Sequence, residues 1–136
     1  NKKIGAYRQT FIDETSVSEV DSVAGSFMIV PRKILNETAG FDESFFMYGE
    51  DLDLCFRIKE LGYKIIYYGK VSITHLKGQS GLHTQSKTVI YHFYHAMALF
   101  YQKHYASRYG ILISSLIYSA IKAKYGITLI KMKLRK

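Results

Sequence analysis

Between Asp42 and Asp53 the chain gathers most of the side chains that could do chemistry: Asp42-Glu43, then Glu50-Asp51-Leu52-Asp53. Carboxylates grouped this way can take a proton from a hydroxyl, hold a cation or pair with a basic side chain. Further along, His75 stands before a Gly/Ser-containing stretch, and an imidazole can ligate a metal or move a proton. Upstream, Gly25-Ser26 interrupts the apolar run Val23–Val30, a pattern that marks close approach of another group to the backbone. Each feature also has an ordinary explanation. Acidic residues in a helix's first turn are stabilised by the helix dipole, and a lone His at a strand end is commonly a surface or satisfied core residue. Cys55 is the single cysteine, so no internal disulfide forms, and its neighbours Leu54 and Phe56 suit a structural thiol.

The elements that must position these groups follow from periodicity and punctuation. Residues 1–20 are polar and mixed and predict little regular structure. Val23–Val30 reads as a buried strand, and Pro31 then opens a short helix, Arg32 to Ala39, stopped by Gly40. The aromatic stretch Phe41–Tyr48 is expected to pack beneath the site. A helix from about Gly49 to Leu61 carries Glu50, Asp51 and Asp53 in its first turn, pairs Asp53 with Arg57 at i,i+4, and closes at Gly62. Tyr63–Tyr68 and Val71–Thr74 predict two strands, or one bent strand, ending at His75. Leu76–Ser86 reads as a mobile loop. Two helices follow, from about Lys87 to Tyr105 and from about Ile111 to Lys131, and the second is too short and too soon interrupted by Lys122 and Lys124 to span a bilayer.

Order and spacing say more than any one of these residues. The stretch from Val23 to Ser80 resembles the family 2 glycosyltransferases, particularly bacterial rhamnosyltransferase-like members. Gly40-Phe41-Asp42-Glu43, Phe45-Phe46-Met47-Tyr48, Glu50-Asp51, Asp53-Leu54-Cys55, Arg57, Gly62 and His75 all stand in register with that pattern. The resemblance implies an α/β chain forming the C-terminal portion of a GT-A fold, with few strands and helices, followed by C-terminal helices. It implies inverting transfer from a nucleotide-sugar donor to a glycan or lipid-linked acceptor in cell-surface polysaccharide synthesis. By the same resemblance Asp51 is the general base, Glu50 orients the acceptor or supports the turn, Gly25, Ser26, Asp53 and Arg57 belong to the donor and acceptor sites, and His75 is a metal ligand. Mg²⁺ or Mn²⁺ would neutralise the leaving diphosphate, with the Asp-x-Asp motif that completes its site lying outside this chain. Asp51-Leu52-Asp53 is a literal Asp-x-Asp, but the register puts it in the acceptor-side helix. On this reading residues 1–108 are the acceptor-side part of a catalytic domain, the chain's start is a cut point in a longer protein, and these residues alone neither hold the metal tightly nor turn over.

Composition bounds the alternatives. With 136 residues, 48% hydrophobic and 22% charged, the chain suits one packed domain. The net charge of +8 is unevenly spread: residues 1–63 hold eleven acidic and seven basic side chains, about −4, whereas residues 64–136 hold twelve basic and none acidic, +12. A basic end in a chain with twelve Tyr suggests a nucleic-acid-binding module or a non-catalytic membrane-docking module. No nucleic-acid motif appears, and Tyr91, Tyr94, Tyr101 and Tyr105 fall at helical spacing that suits packing better. His83, His92, His95 and His104 lie beyond the family pattern; His92 and His95 share a helix face at i,i+3 but lack a third ligand. Residues 109–136 therefore read as a basic amphipathic helix in a cytoplasmic protein, which either makes a peripheral contact with the inner face of the cell membrane or packs Ile111, Leu112, Leu116 and Ile117 against the catalytic domain. An exposed sheet edge could further pair two copies as a homodimer.

Overall fold

The computed structural model describes residues 13–74 and 86–134. A turn at Asp13, whose carboxylate accepts from the Thr15 N–H and hydroxyl, leads into β1, Val17–Val20. This strand pairs antiparallel with β2, Ile65–Tyr68, in the register Val17 to Tyr68 and Val20 to Ile65. Only Val20 and Ile65 are buried in the two strands. β1 was not expected, because its four residues show no clear alternation of apolar and polar types and its partner lies far along the chain.

Two further expectations are corrected. Val23–Val30 is not a strand: it runs irregularly along one side of an open apolar groove whose other side is β2. A strand needs a ladder partner for its backbone groups, and among the described residues none lies beside this run. Val71–Thr74 likewise carries no strand. Just past β2, Gly69 closes the ladder through its N–H to the Ser16 carbonyl at 2.9 Å. A Cβ there would lie 2.2 Å from the Glu14 carbonyl oxygen, which explains the glycine.

The helices follow the sequence closely. Helix α1, Arg32–Thr38, begins after Pro31, whose φ of −57° leads into the helix, and ends where Ala39 and Gly40 turn left-handed. Helix α2, Glu50–Glu60, ends at Gly62 with φ +85°, and the Tyr63 N–H returns to the Ile58 carbonyl. Its inward side, Leu54, Cys55 and Ile58, packs with Val20 and Ile65 into the core, flanked by Val23, Met28, Ile34, Leu35 and Tyr63. Burial of Leu54 or Ile58 contributes about 1.5–3 kcal/mol each.

Helix α3, Lys87–His104, is capped by the Ser86 hydroxyl accepting from the Val89 N–H. Helix α4, Ile111–Leu134, packs back along it after a short 3₁₀ turn at Ala106–Arg108. Tyrosines join the two helices: Tyr94 to Thr128 at 2.7 Å, Tyr101 to Ser114 at 3.0 Å, and the Tyr101 and Tyr118 rings edge to face at 5.5 Å. The helically spaced tyrosines thus serve packing. Among the described residues no helix is long and apolar enough to cross a membrane.

Candidate active site

The site is organised around the first turn of α2. Tyr48 and Gly49 both adopt left-handed backbone conformations, φ +66° and +87°, and so swing the chain abruptly into the helix. At Gly49 the left-handed φ favours glycine, and an added Cβ would also meet the Phe45 ring at 3.2 Å and Ala96 at 3.4 Å. Of the aromatic stretch before it, Phe45 is buried, while Phe41, Phe46 and Tyr48 are exposed, so the expected packing beneath the site holds for Phe45 only. Asp42 fastens the stretch by accepting from the Ser44 N–H at 2.9 Å and the Ser44 hydroxyl at 2.6 Å.

Asp51 reaches across to the 22–31 segment. Its Oδ2 accepts the Gly25 N–H at 2.9 Å, and its Oδ1 accepts the Leu52 N–H at 2.8 Å. A Cβ on Gly25 would lie 3.3 Å from the Asp51 Cβ. The close approach inferred from that glycine is therefore real, and the group that approaches is the Asp51 side chain. A carboxylate offers about four acceptor positions, so Asp51 has capacity left for a further hydroxyl. Beside it, Glu50 has a buried Oε2 with no hydrogen-bond partner. Leaving such a group unpaired costs about 1–3 kcal/mol, a cost that polar groups at binding sites are commonly left to carry. Ser26, next to Gly25, is exposed.

Asp53 and Arg57 sit differently from what a ligand-contacting role requires. The Asp53 side chain has no exposed surface. Its Oδ2 takes the Arg57 guanidinium through Nε and Nη2, each at 2.7 Å, and its Oδ1 takes Lys103 Nζ at 2.8 Å and His104 Nε2 at 2.7 Å. Burial pushes the Asp53 carboxyl up, but hydrogen bonds from Lys103, His104 and Arg57, with the Arg57 charge, outweigh it, and the net shift is downward. Arg57 also donates to the Thr38 carbonyl and, at 2.8 Å, to the Gly40 carbonyl. Lys103 also holds Asp42, whose carboxyl is driven well below the usual carboxylate range by hydrogen bonds from Lys103 and Ser44. The pairing of Asp53 with Arg57 follows from i,i+4 spacing; the parts played by Lys103 and His104, fifty residues on, had no signal in the sequence.

Cys55 is buried with its Sγ toward the Val23 carbonyl at 3.9 Å, and burial pushes the thiol up, which fits a structural role. His75 and all but Ser86 of the loop expected over Leu76–Ser86 lie outside the described residues. Among the described residues no three His, Cys, Asp or Glu side chains converge as a metal site. Asp53 is engaged by cationic donors and Asp51 by backbone N–H groups, so these residues alone do not fit a divalent ion.

An α/β domain that presents an aspartate at a helix start, held from one side by a backbone N–H and flanked by an unpaired buried glutamate oxygen, can receive a hydroxyl group and its proton. This is the kind of site that a group-transfer enzyme uses on an alcohol acceptor. Comparison with known sequences agrees: a sequence model of "Glycosyl transferase family group 2" matches residues 8–131, and the chain belongs to that family. It is similar to an N-acetylglucosaminyl-diphospho-decaprenol L-rhamnosyltransferase of Mycobacterium tuberculosis, 37% identical over 75 residues, covering 55% of this chain and 24% of the relative. It is also similar to the rhamnosyltransferase WbbL of Escherichia coli, 46% identical over 48 residues, covering 35% of this chain and 18% of the relative. The chain thus spans about a quarter or less of the length of these relatives. No solved structure matches it significantly.

Proposed function

We propose that this chain forms the acceptor side of an inverting glycosyltransferase of GT-A fold, with Asp51 as the general base. The observation that carries the reading is Asp51 itself, set at the start of α2 with one oxygen on the Gly25 N–H. In the reaction an acceptor hydroxyl gives its proton to an Asp51 carboxylate oxygen as the hydroxyl oxygen forms a bond to the anomeric carbon. The bond from that carbon to the nucleoside diphosphate breaks on the opposite face, and its electron pair leaves with the diphosphate. Glu50, with its unpaired oxygen, orients the acceptor through a second hydroxyl. Gly25 holds Asp51, and Ser26, exposed beside it, is available to donor or acceptor. A divalent ion, Mg²⁺ or Mn²⁺, would supply charge neutralisation for the diphosphate; His75 is this chain's proposed ligand for it, with the remaining carboxylates coming from elsewhere in the enzyme. The names of the relatives favour a rhamnosyl donor and a lipid-linked acceptor. In the enzyme assayed with its donor, Asp51→Asn is expected to lower kcat by about 10²–10⁴-fold with donor binding unchanged. Turnover near wild type in that variant removes Asp51 from the role.

The same proposal places the protein at an anionic membrane surface on the cytoplasmic side, and α4 supports it. No residue of α4 is buried, and Leu112 and Leu134 are 82% and 80% exposed. At 3.6 residues per turn, the exposed Leu112, Leu116, Ile127, Ile130 and Leu134 fall within one arc of roughly 60°. Lys122 and Lys133 flank that arc on one side and Lys124 and Lys131 on the other, each about 90° from its centre, and the helix carries no acidic residue. An apolar stripe edged by lysines suits the headgroup boundary, each Lys contributing about 1 kcal/mol near anionic lipid. The protein should co-sediment with phosphatidylglycerol-containing vesicles, less at high salt, and lose this on removal of residues 110–136. Equal binding by the shortened protein assigns the contact elsewhere.

A further inference from the structure

Glu50, Asp51 and Asp53 share one helical turn; Asp51 reaches the Gly25 N–H, and Asp53 ties the turn to the ends of two other helices. Its pair with Arg57 is internal to α2 and does not by itself locate the helix. Beside the core contacts of Leu54, Cys55 and Ile58, two outward connections fix its location. Through Arg57 the turn is fastened to the Thr38 and Gly40 carbonyls at the end of α1. Through Asp53 Oδ1 it is fastened to Lys103 and His104 at the last turn of α3.

Both α3 residues are themselves held. The His104 ring packs against Phe56 of α2, at 4.1 Å between centroids, and Phe100 of its own helix, at 4.7 Å, and its side chain is 5% exposed. Because Asp53 is an acceptor with its carboxyl shifted downward, the His104 nitrogen facing it carries the proton. Lys103 bridges Asp53 to Asp42, joining the α2 turn to the 41–48 stretch. Asp42 and Asp53 balance the charges of Arg57 and Lys103.

We propose that Lys103 and His104 are positioning residues for the transfer reaction: acting through Asp53, they hold the first turn of α2 so that Asp51 stays on the Gly25 N–H and in line with the acceptor hydroxyl. This rests on the assignment of Asp51 as base. It makes α3, which follows the Val23–Ser80 stretch of sequence motifs, part of the frame of the site. Displacing a reacting group by about 1 Å can cost about 10²-fold in rate, so loss of these contacts should appear in kcat and leave donor affinity alone.

The test compares His104→Leu, His104→Gln and Lys103→Met with Asp51→Asn in the enzyme, below the unfolding temperature of each variant. Gln places a side-chain N–H near the position of the imidazole Nε2–H, and Leu does not. His104→Leu and Lys103→Met are expected to lower kcat about 10- to 100-fold with the donor Kd unchanged, and His104→Gln should recover most of the loss. Amide hydrogen exchange over residues 50–54 should quicken in His104→Leu and Lys103→Met and return toward wild type in His104→Gln. Lys103→Met, at a side chain 29% exposed, keeps the test open should His104→Leu fail to fold. Lowered thermal stability with kcat and exchange at residues 50–54 both unchanged overturns the proposal. An inactive Asp51→Asn beside fully active Lys103 and His104 variants refutes the positioning role alone. An active Asp51→Asn refutes the base assignment, and with it the catalytic meaning of the clamp, while exchange at residues 50–54 still reports whether the clamp holds the turn.

Discussion

Replacing Asp53 by Asn keeps the side chain's shape and removes its charge, and the structure says what that must cost. Oδ2 now accepts from two Arg57 nitrogens, and Oδ1 accepts from Lys103 and His104. An amide offers one oxygen and one NH₂, so in either orientation one pair of donors loses its acceptor and faces another donor. Removing one partner of a buried ion pair typically costs 3–5 kcal/mol. Arg57 keeps the Thr38 and Gly40 carbonyls and Lys103 keeps Asp42, which places the expected loss at the lower end, about 3 kcal/mol. For a domain of this size that corresponds to a fall in Tm of roughly 10 °C. Denaturant unfolding followed by far-UV circular dichroism measures it, with Lys64→Met as control, since the exposed Lys64–Glu19 pair should contribute under about 1 kcal/mol. The difference also depends on pH. The Asp53 carboxyl is shifted downward in the fold, so the wild-type advantage is complete above the unfolded carboxyl value near 3.9. It shrinks as pH falls from there through the depressed folded value. A loss below about 1 kcal/mol at neutral pH, or an advantage that grows on acidification, would refute the account of Asp53 as the acceptor of this cluster.

Two further outcomes are expected. Gly69→Ala forces a Cβ against the Glu14 and Ser16 carbonyls, and should cost about 1–3 kcal/mol and loosen β1 from β2, seen as faster amide exchange at Ser18 and Tyr67, the hydrogen-bonded pair next along the ladder; an unchanged stability and exchange pattern would show that the strand end shifts freely. Calorimetric titration of this chain with Mn²⁺ should show no tight binding, since one imidazole without partnering carboxylates holds the ion weakly; tight binding abolished by His75→Ala would mean that the ligand set is complete within these residues.

What could be read from the sequence was what depends on neighbours a few residues away. The spacing of Leu54, Cys55 and Ile58 marked the buried face of α2, and Gly62 marked its end, because both follow from helix geometry and a left-handed terminus. Asp53 with Arg57 could be read at i,i+4 for the same reason. The register of Gly40 through Arg57 pointed to the family, and Gly25 signalled that something comes close to the backbone. Which group comes close was settled only when the 22–31 segment and α2 packed on one core and brought Asp51 to the Gly25 N–H. The strand expected at Val23–Val30 and the one found at Val17–Val20 differ for a related reason: a ladder is made with a partner, and β2 pairs with the run that reaches it, whatever the local apolar content. Lys103 and His104 look like the ordinary basic end of an amphipathic helix. Only the docking of α3 across α2 turns them onto a buried carboxylate fifty residues earlier, where leaving Asp53 unpaired would cost more than ordering both side chains.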